Sequence, residues 1–195
     1  MNFELNQKFR KNPWLILVLC VVAVTLGGFL SDTALAKTAK EIDASVNASL
    51  ERFYKQVKGA KEFTTAAKGM LVLPSVKKAA FVIGGEYGEG ALRVGGKSID
   101  YYNMVSGSFG FQIGAEAKDI IIAFMTNEAL AQFQKSKGWE AGVDGNLALV
   151  EIGAGRRLDT TTIKDPIVAF VFDVKGLMAD ISLKGAKFNK LHKAE

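Results

Sequence analysis

The apolar positions of this chain follow three successive patterns. Residues 14–30, "WLILVLCVVAVTLGGFL", are apolar without interruption. In "TAKEIDASVNASLERFYKQVKG" the apolar residues Ile42, Val46, Leu50, Phe53 and Val57 recur at steps of three or four, which predicts an amphipathic helix. Thr38 and Glu41 form a capping-box pair at its start, and Gly59 stands where a helix commonly ends. The opposite face carries Lys40, Asp43, Glu51, Arg52, Lys55 and Lys58, with acids early and bases late as the helix dipole favours. A shorter helix is expected in "AKEFTTAAKG", closed by Gly69.

From Met70 the period falls to two. "MLVLP", "AAFVIGGEYGEGALRVGG", "SIDYYNMVSGSFGFQIG", "DIIIAFM", "GNLALVEIG", "DPIVAFVFDV" and "GLMADISLKG" all read as strands between glycine or polar turns. In "FGFQIG", Phe109, Phe111 and Ile113 alternate with Gly110, Gln112 and Gly114. "IVAFVF" is apolar on both parities and is expected in the interior of a sheet. "LMADISLK" alternates, with Asp180, Ser182 and Lys184 on the wet side. One helix interrupts, "TNEALAQFQKSKG", capped by Thr126 or Asn127 and stopped by Gly138, and "VDGN" is a hairpin-turn signal. The fold class is therefore α+β: N-terminal amphipathic helices packed on a glycine-rich, mostly antiparallel sheet, sandwich- or barrel-like. Strands this closely spaced leave no room for repeated crossover helices, which excludes a doubly wound sheet.

The chain has 195 residues, 49% of them hydrophobic, a formal net charge of +5 and a pI of about 9.2, values that suit one globular domain with a leader. Lys8, Arg10 and Lys11 precede the apolar run, and Ala34-Leu35-Ala36 after it fits the small-x-small pattern of a signal peptidase site. Residues 1–36 are thus expected to be a signal peptide cleaved after Ala36, and residues 37–195 an exported, periplasmic or envelope-associated domain. An uncleaved inner-membrane anchor is the alternative, since the run sits at the short end of the roughly 17–25 residues that span a bilayer. Cys20 is the sole cysteine and follows Leu19, not the small residue that a lipidation site requires. Removing the leader leaves no thiol, disulfide or cysteine-based metal site. A domain of this length buries close to ~70% of its unfolded surface and needs no staple.

Residues 81–96, "FVIGGEYGEGALRVGG", raise the question of chemistry most directly. A dinucleotide fingerprint requires G-x-G-x-x-G between a strand and a helix, and a P-loop requires a G-K-[ST] end. Here the order is G-x-x-G-x-G and another strand follows, so the glycines read as bulges or close backbone approach in a strongly bent hairpin. Glu86 and Glu89, three apart in a strand, point to opposite faces unless a bulge intervenes, which argues against a catalytic pair. Glu151 lies in an apolar run and requires a partner such as Arg93, Arg156 or Arg157. His192, the only histidine, sits in the basic tail "KFNKLHKAE" with no nucleophile or ligand cluster around it, and Asp144-Gly145-Asn146 lacks the spaced ligands of a calcium loop. No catalytic residue, metal site or cofactor is expected.

The basic residues carry more. Lys55, Lys58, Lys61, Lys68, Lys77 and Lys78 gather around the helix ends and the "LPSVKK" turn. A cationic amphipathic helix suits an anionic lipid surface, each basic residue contributing about 1 kcal/mol. The competing reading is a helix that caps the sheet while its lysines are simply solvated. Mixed charge and export both exclude nucleic acid as a partner.

The ordered set "AKGMLVLPSVKKAAFVIGGEYGEGALRV", "YYN", "GFQIGA", "IIIAFMT", "ALAQFQKSKGWEAGVDG" and "DPIVAFVFDVKGLM" resembles the SYLF family over nearly all of residues 39–190. This is the lipid-binding domain of eukaryotic actin-patch and phosphoinositide-binding proteins, with many exported bacterial members. The resemblance implies a curved antiparallel sheet and a non-enzymatic lipid-binding domain of the bacterial envelope, engaging anionic phospholipid headgroups. It also implies contact through the helix bearing Ile42, Val46, Leu50, Phe53 and Val57, with Arg52, Lys55, Lys58 and Lys61 beside it and Lys68, Lys77 and Lys78 nearby. No SH3 or FYVE partner domain accompanies it, so the family label of actin binding fits an exported chain poorly. An envelope protein–protein scaffold using the sheet face near Tyr101, Tyr102 and Trp139 is the alternative, and a hydrolase built on Glu86 or Glu151 requires those carboxylates to converge.

Overall fold

The structure, a computed structural model, describes residues 37–80, 83–109, 114–152, 165–176 and 182–193. The leader, the glycine–aromatic alternation of residues 110–113, Arg156, Arg157, Asp180 and the side chain of Glu151 lie outside the described residues. The unit Lys37–Glu195 is compact in its own right, and both of its core clusters are built from its own residues.

Helix α1 (Ala39–Gln56) begins as its sequence predicts: the Thr38 side chain accepts from the Glu41 amide, and the Glu41 carboxylate accepts from the Thr38 amide at 2.8 Å. Those hydrogen bonds hold the Glu41 carboxyl below its ordinary value. Val57 is the C-cap, and Gly59, at φ 83°, instead introduces α2 (Ala60–Ala66). Gly69 does not close α2 but opens the first strand. The strands are β1 (Gly69–Ala80), β2 (Ile83–Val94), β3 (Lys97–Phe109) and β4 (Gly114–Phe124), then β5 (Trp139–Glu140), β6 (Ala148–Glu151), β7 (Ile167–Gly176) and β8 (Lys187–Leu191). Helix α3 (Asn127–Lys135) lies between β4 and β5, with Thr126 as N-cap and its side chain accepting from the Ala129 amide.

The eight strands form one curled half-barrel sheet in the order β5-β8-β3-β2-β1-β4-β7-β6. The pairings between these strands are antiparallel except β6 with β7. Its two faces bury separate cores. On the outer face Ile42, Val46, Leu50, Phe53, Val57 and Phe63 pack on Val72, Ala91, Ile121, Val168, Phe170 and Phe172. Phe53 lies 5.3 and 5.1 Å from the rings of Phe170 and Phe172. On the inner face Phe133 of α3 stacks at 4.9 Å on Tyr102 and 4.8 Å on Phe124, with Trp139 at 5.7 Å. Two covered faces explain why "IVAFVF" is apolar on both parities: β7 runs between β4 and β6 with Ile167 to Phe172 all buried.

Two turn readings change. "LPSVKK" is no turn but the middle of β1, where the register slips between Leu73 and Val76. Pro74 has no amide to donate and Ser75 stands at φ 53°, so the strand bulges and continues. "VDGN" does not join a hairpin either, because β5 and β6 lie at opposite edges of the sheet. Its Asp144 carboxylate accepts from the Glu140 amide at 2.7 Å, closing a turn over the Trp139 ring. Of "GLMADISLKG", residues 177–181 lie outside the described residues. Its described part keeps the expected alternation, with Ser182 and Lys184 exposed around buried Leu183; Gly185, at φ 77°, then turns the chain, and the tail "KFNKL" pairs with β3 through buried Phe188.

The glycine hairpin now has a cause. A Cβ on Gly90 would stand 1.9 Å from the Val72 carbonyl oxygen, and one on Gly88 would stand 2.6 Å from Val76 Cγ2. The bulged β1 therefore lies directly over β2, and only glycine admits it. Gly90→Ala is expected to lower the unfolding free energy by about 3 kcal/mol or more, whereas Gly107→Ala, whose Cβ meets nothing within 4 Å, is expected to stay within ~0.5 kcal/mol. Urea denaturation of both variants checks this, and equal losses would contradict the close-approach account.

Candidate functional site

The seven basic residues singled out by the sequence do not form one patch. Lys55 and Lys58 are exposed at the C-terminal end of α1, and Lys61 is exposed at the start of α2. Lys68 is exposed beside the first residue of β1, where its amide donates to the Phe124 carbonyl. Lys77 is exposed near the other end of the same strand, roughly 25–30 Å away at strand rise. The chain brings Lys55, Lys58 and Lys61 together at the α1–α2 junction and separates the rest.

Arg52 and Lys78 have structural employment that their sequence context conceals. Arg52, with its side chain 35% exposed, ion-pairs with Asp119 and with Asp173 at 3.2 Å. Asp119 is 2% exposed and gathers three elements: it accepts from the Ser75 amide at 2.8 Å, from the Ser49 hydroxyl at 2.8 Å and from the Arg52 guanidinium. The carboxylate thereby holds the left-handed residue of the β1 bulge and the middle of α1 at once. A trace of this was present in the sequence, since Ser49 interrupts the buried stripe of α1 and a polar group there needs a partner.

Lys78 alternates with Lys77 and so points inward, where it is 2% exposed. Its ammonium lies 3.7 Å from Glu86 Oε1, which also receives Lys118 Nζ at 3.0 Å, and Lys118 lies 3.8 Å from Glu116 Oε1. Two lysines and two glutamates thus neutralise one another on the inner face. Removing any one member would strand a charge in the interior. Glu89, three residues from Glu86 in unbroken register with β3, emerges on the outer face and meets Lys193 at 3.3 Å. These two carboxylates therefore do not converge.

The sheet face imagined as a protein-docking surface is also interior: Tyr102 is 2% and Trp139 1% exposed, while Tyr101 donates to Asp43 at 3.0 Å beneath α1. A cavity of about 410 Å³ between α1 and the β2–β3 turn is lined by Asn47, Glu51, Tyr54 and Arg93. Arg93 already donates to Asn47 at 2.9 Å and to the Gly96 carbonyl, and Glu51 on the rim disfavours an anion. Among the described residues no group of His, Cys, Asp and Glu is arranged to hold a metal, and no helix is long and apolar enough to cross a membrane.

Residues 105–195 match the family model Ysc84, described as "Las17-binding protein actin regulator". The matched stretch starts within β3 and takes in β4, α3 and every later strand, leaving α1 and the glycine-rich β2 outside it. No curated protein matches the chain.

Asp119→Ala is expected to cost about 2–3 kcal/mol, because it removes a charged acceptor and leaves buried donors unmet; Lys55→Ala is expected to stay within ~0.5 kcal/mol. Urea midpoints of the two variants test this ranking. A second expectation concerns alkali. Burial raises the Tyr102 phenol from 10.0 to about 12, with Asp100 adding to the effect. The folded chain keeps this phenol protonated, so its contribution is complete below pH 10 and is lost as pH rises toward about 12. In Tyr102→Phe that part of the alkaline loss of stability is expected to vanish, as thermal midpoints between pH 9 and 12 will show.

Proposed function

We propose, from the match of residues 105–195 to the Ysc84 family model and the resemblance of the ordered motifs to the SYLF family, that the chain is a non-enzymatic lipid-binding protein of the bacterial envelope. It engages anionic phospholipid headgroups as a folded domain, through the lysines of the α1–α2 junction. The observation that supports this reading is the division of α1 itself. Its apolar stripe is buried on the sheet, with Ile42, Val46 and Phe53 at 0% exposure, while Lys55, Lys58 and Lys61 stand free in water. Contact of this kind is electrostatic and leaves the helix docked; it does not require the stripe to leave the sheet. The expected leader delivers the domain to an exported compartment, either free after cleavage behind Ala36 or tethered to the inner membrane. There anionic headgroups are at hand and actin is not. Arg52 and Lys78 take no part, since their charges are already matched inside the protein.

The second reading is an envelope protein partner. The family model's description, with its Las17-binding and actin-regulating terms, concerns proteins as partners.

Co-sedimentation of the Lys37–Glu195 unit with anionic and zwitterionic vesicles, at low and high salt, tests the proposal. Binding is expected only to anionic vesicles and is expected to weaken with salt. Reversing Lys55, Lys58 and Lys61 to Glu is expected to weaken it by about 100-fold or more, at about 1 kcal/mol per lost basic contact, with the thermal midpoint preserved. Wild-type protein that ignores both vesicle types would sink the lipid reading and favour the protein partner.

A further inference from the structure

Registers across the sheet align six residues of six strands into one row on the outer face. Lys187 of β8 pairs with Val105 of β3, Val105 with Tyr87 of β2, and Tyr87 with Lys77 of β1. Lys77 in turn pairs with Ala117 of β4, and Ala117 with Lys175 of β7. Directly paired residues share a face, so the row presents Lys–Val–Tyr–Lys–Ala–Lys to one side. α1 crosses the sheet elsewhere, over Val72, Ala91 and Ile121, and leaves this row uncovered.

The exposure is large where it is least expected. Tyr87 is 49% and Val105 45% exposed, two apolar side chains paired with each other in open water, and the Lys175 and Lys187 side chains are 72% and 62% exposed. Val174, next to Lys175, is 41% exposed. On one flank Gly85 pairs with Gly107, so at that pair no side chain rises beside the row. On the other flank Glu89, Asn103 and Asn189 form a polar margin, and the Tyr87 hydroxyl donates to Glu89 at 2.8 Å, which fixes the ring. Lys175 and Lys187 lie 3.4 and 3.3 Å from Asp173 and Glu140, exposed pairs worth only ~0–1 kcal/mol and readily traded for another anion.

We propose that this row is the membrane-contact face of the domain, its lysines on anionic headgroups and Tyr87 and Val105 at the interfacial level between them. The charge pattern favours this occupant. Cations at both ends and in the middle of the row match anionic headgroups, and a half-exposed tyrosine between them suits the boundary of headgroup and chain. The inference rests on the lipid reading above and adds, to the helix-junction contact, a second contact on the sheet.

Three variants of the Lys37–Glu195 unit, each first checked for an unchanged thermal midpoint, are compared with wild type on anionic vesicles. The first reverses Lys77, Lys175 and Lys187 to Glu; a Gln version of the same three replaces it if the midpoint falls. The second is Tyr87→Ser with Val105→Ser, and the third is the Lys55, Lys58 and Lys61 reversal. The row reversal is expected to weaken binding at least 100-fold and the Tyr87/Val105 variant several-fold, the latter with residual binding more sensitive to salt. If wild type binds and only the junction reversal abolishes binding, the row is wrong and the lipid reading stands. If wild type binds no vesicle, both fall. Self-association that disappears in the row variants while vesicle binding persists would make the row a contact between copies and would also overturn the proposal.

Discussion

The architecture depends on one buried carboxylate. Asp119 sits in the middle strand region at 2% exposure and accepts hydrogen bonds from the Ser75 amide, the Ser49 hydroxyl and the Arg52 guanidinium. Without that acceptor, Ser75 would hold a left-handed conformation with an unmet donor, and β1 would have no reason to remain one strand through Pro74. With it, β1 bulges and bends, and the bend carries its backbone onto β2 at Gly88 and Gly90. The same carboxylate anchors the centre of α1. Sheet curvature and helix position are therefore set at a single point.

That arrangement assigns each basic residue its role. Alternation in β1 sends Lys77 outward and Lys78 inward, so adjacent lysines that look equivalent are separated by the thickness of the sheet. Inside, Lys78 and Lys118 neutralise Glu86 and Glu116, a quartet that holds the inner ends of β1, β2 and β4 in register. Outside, the lysines remain in water. Because the apolar stripe of α1 is already buried against Phe170 and Phe172, what this face of the domain turns to water is set by its outward side chains.

The periodicities were sufficient to read the elements that local chemistry dictates. The capping box of α1, the cap of α3 at Thr126, the two-sided burial of β7 and the scaffolding nature of "GGEYGEG" all follow from spacing and side-chain type. The candidate site was less legible. Arg52 and Lys78 resembled Lys55 and Lys77 in every local respect, and what distinguishes them is a carboxylate 67 residues away for Arg52 and one on a neighbouring strand for Lys78. The row Lys187–Val105–Tyr87–Lys77–Ala117–Lys175 draws on strands scattered from β1 to β8, and no window of sequence contains it.

By itself the sequence determined an α+β domain of two periods, because hydrophobic spacing and capping are short-range properties carried by neighbouring residues. Tertiary structure alone decided that "LPSVKK" is a bulge and not a turn, that the tail is a strand, and which lysines face water. Each of those outcomes depends on pairing register and on contacts between residues distant in the chain, and register is set when the two faces of the whole sheet are buried together.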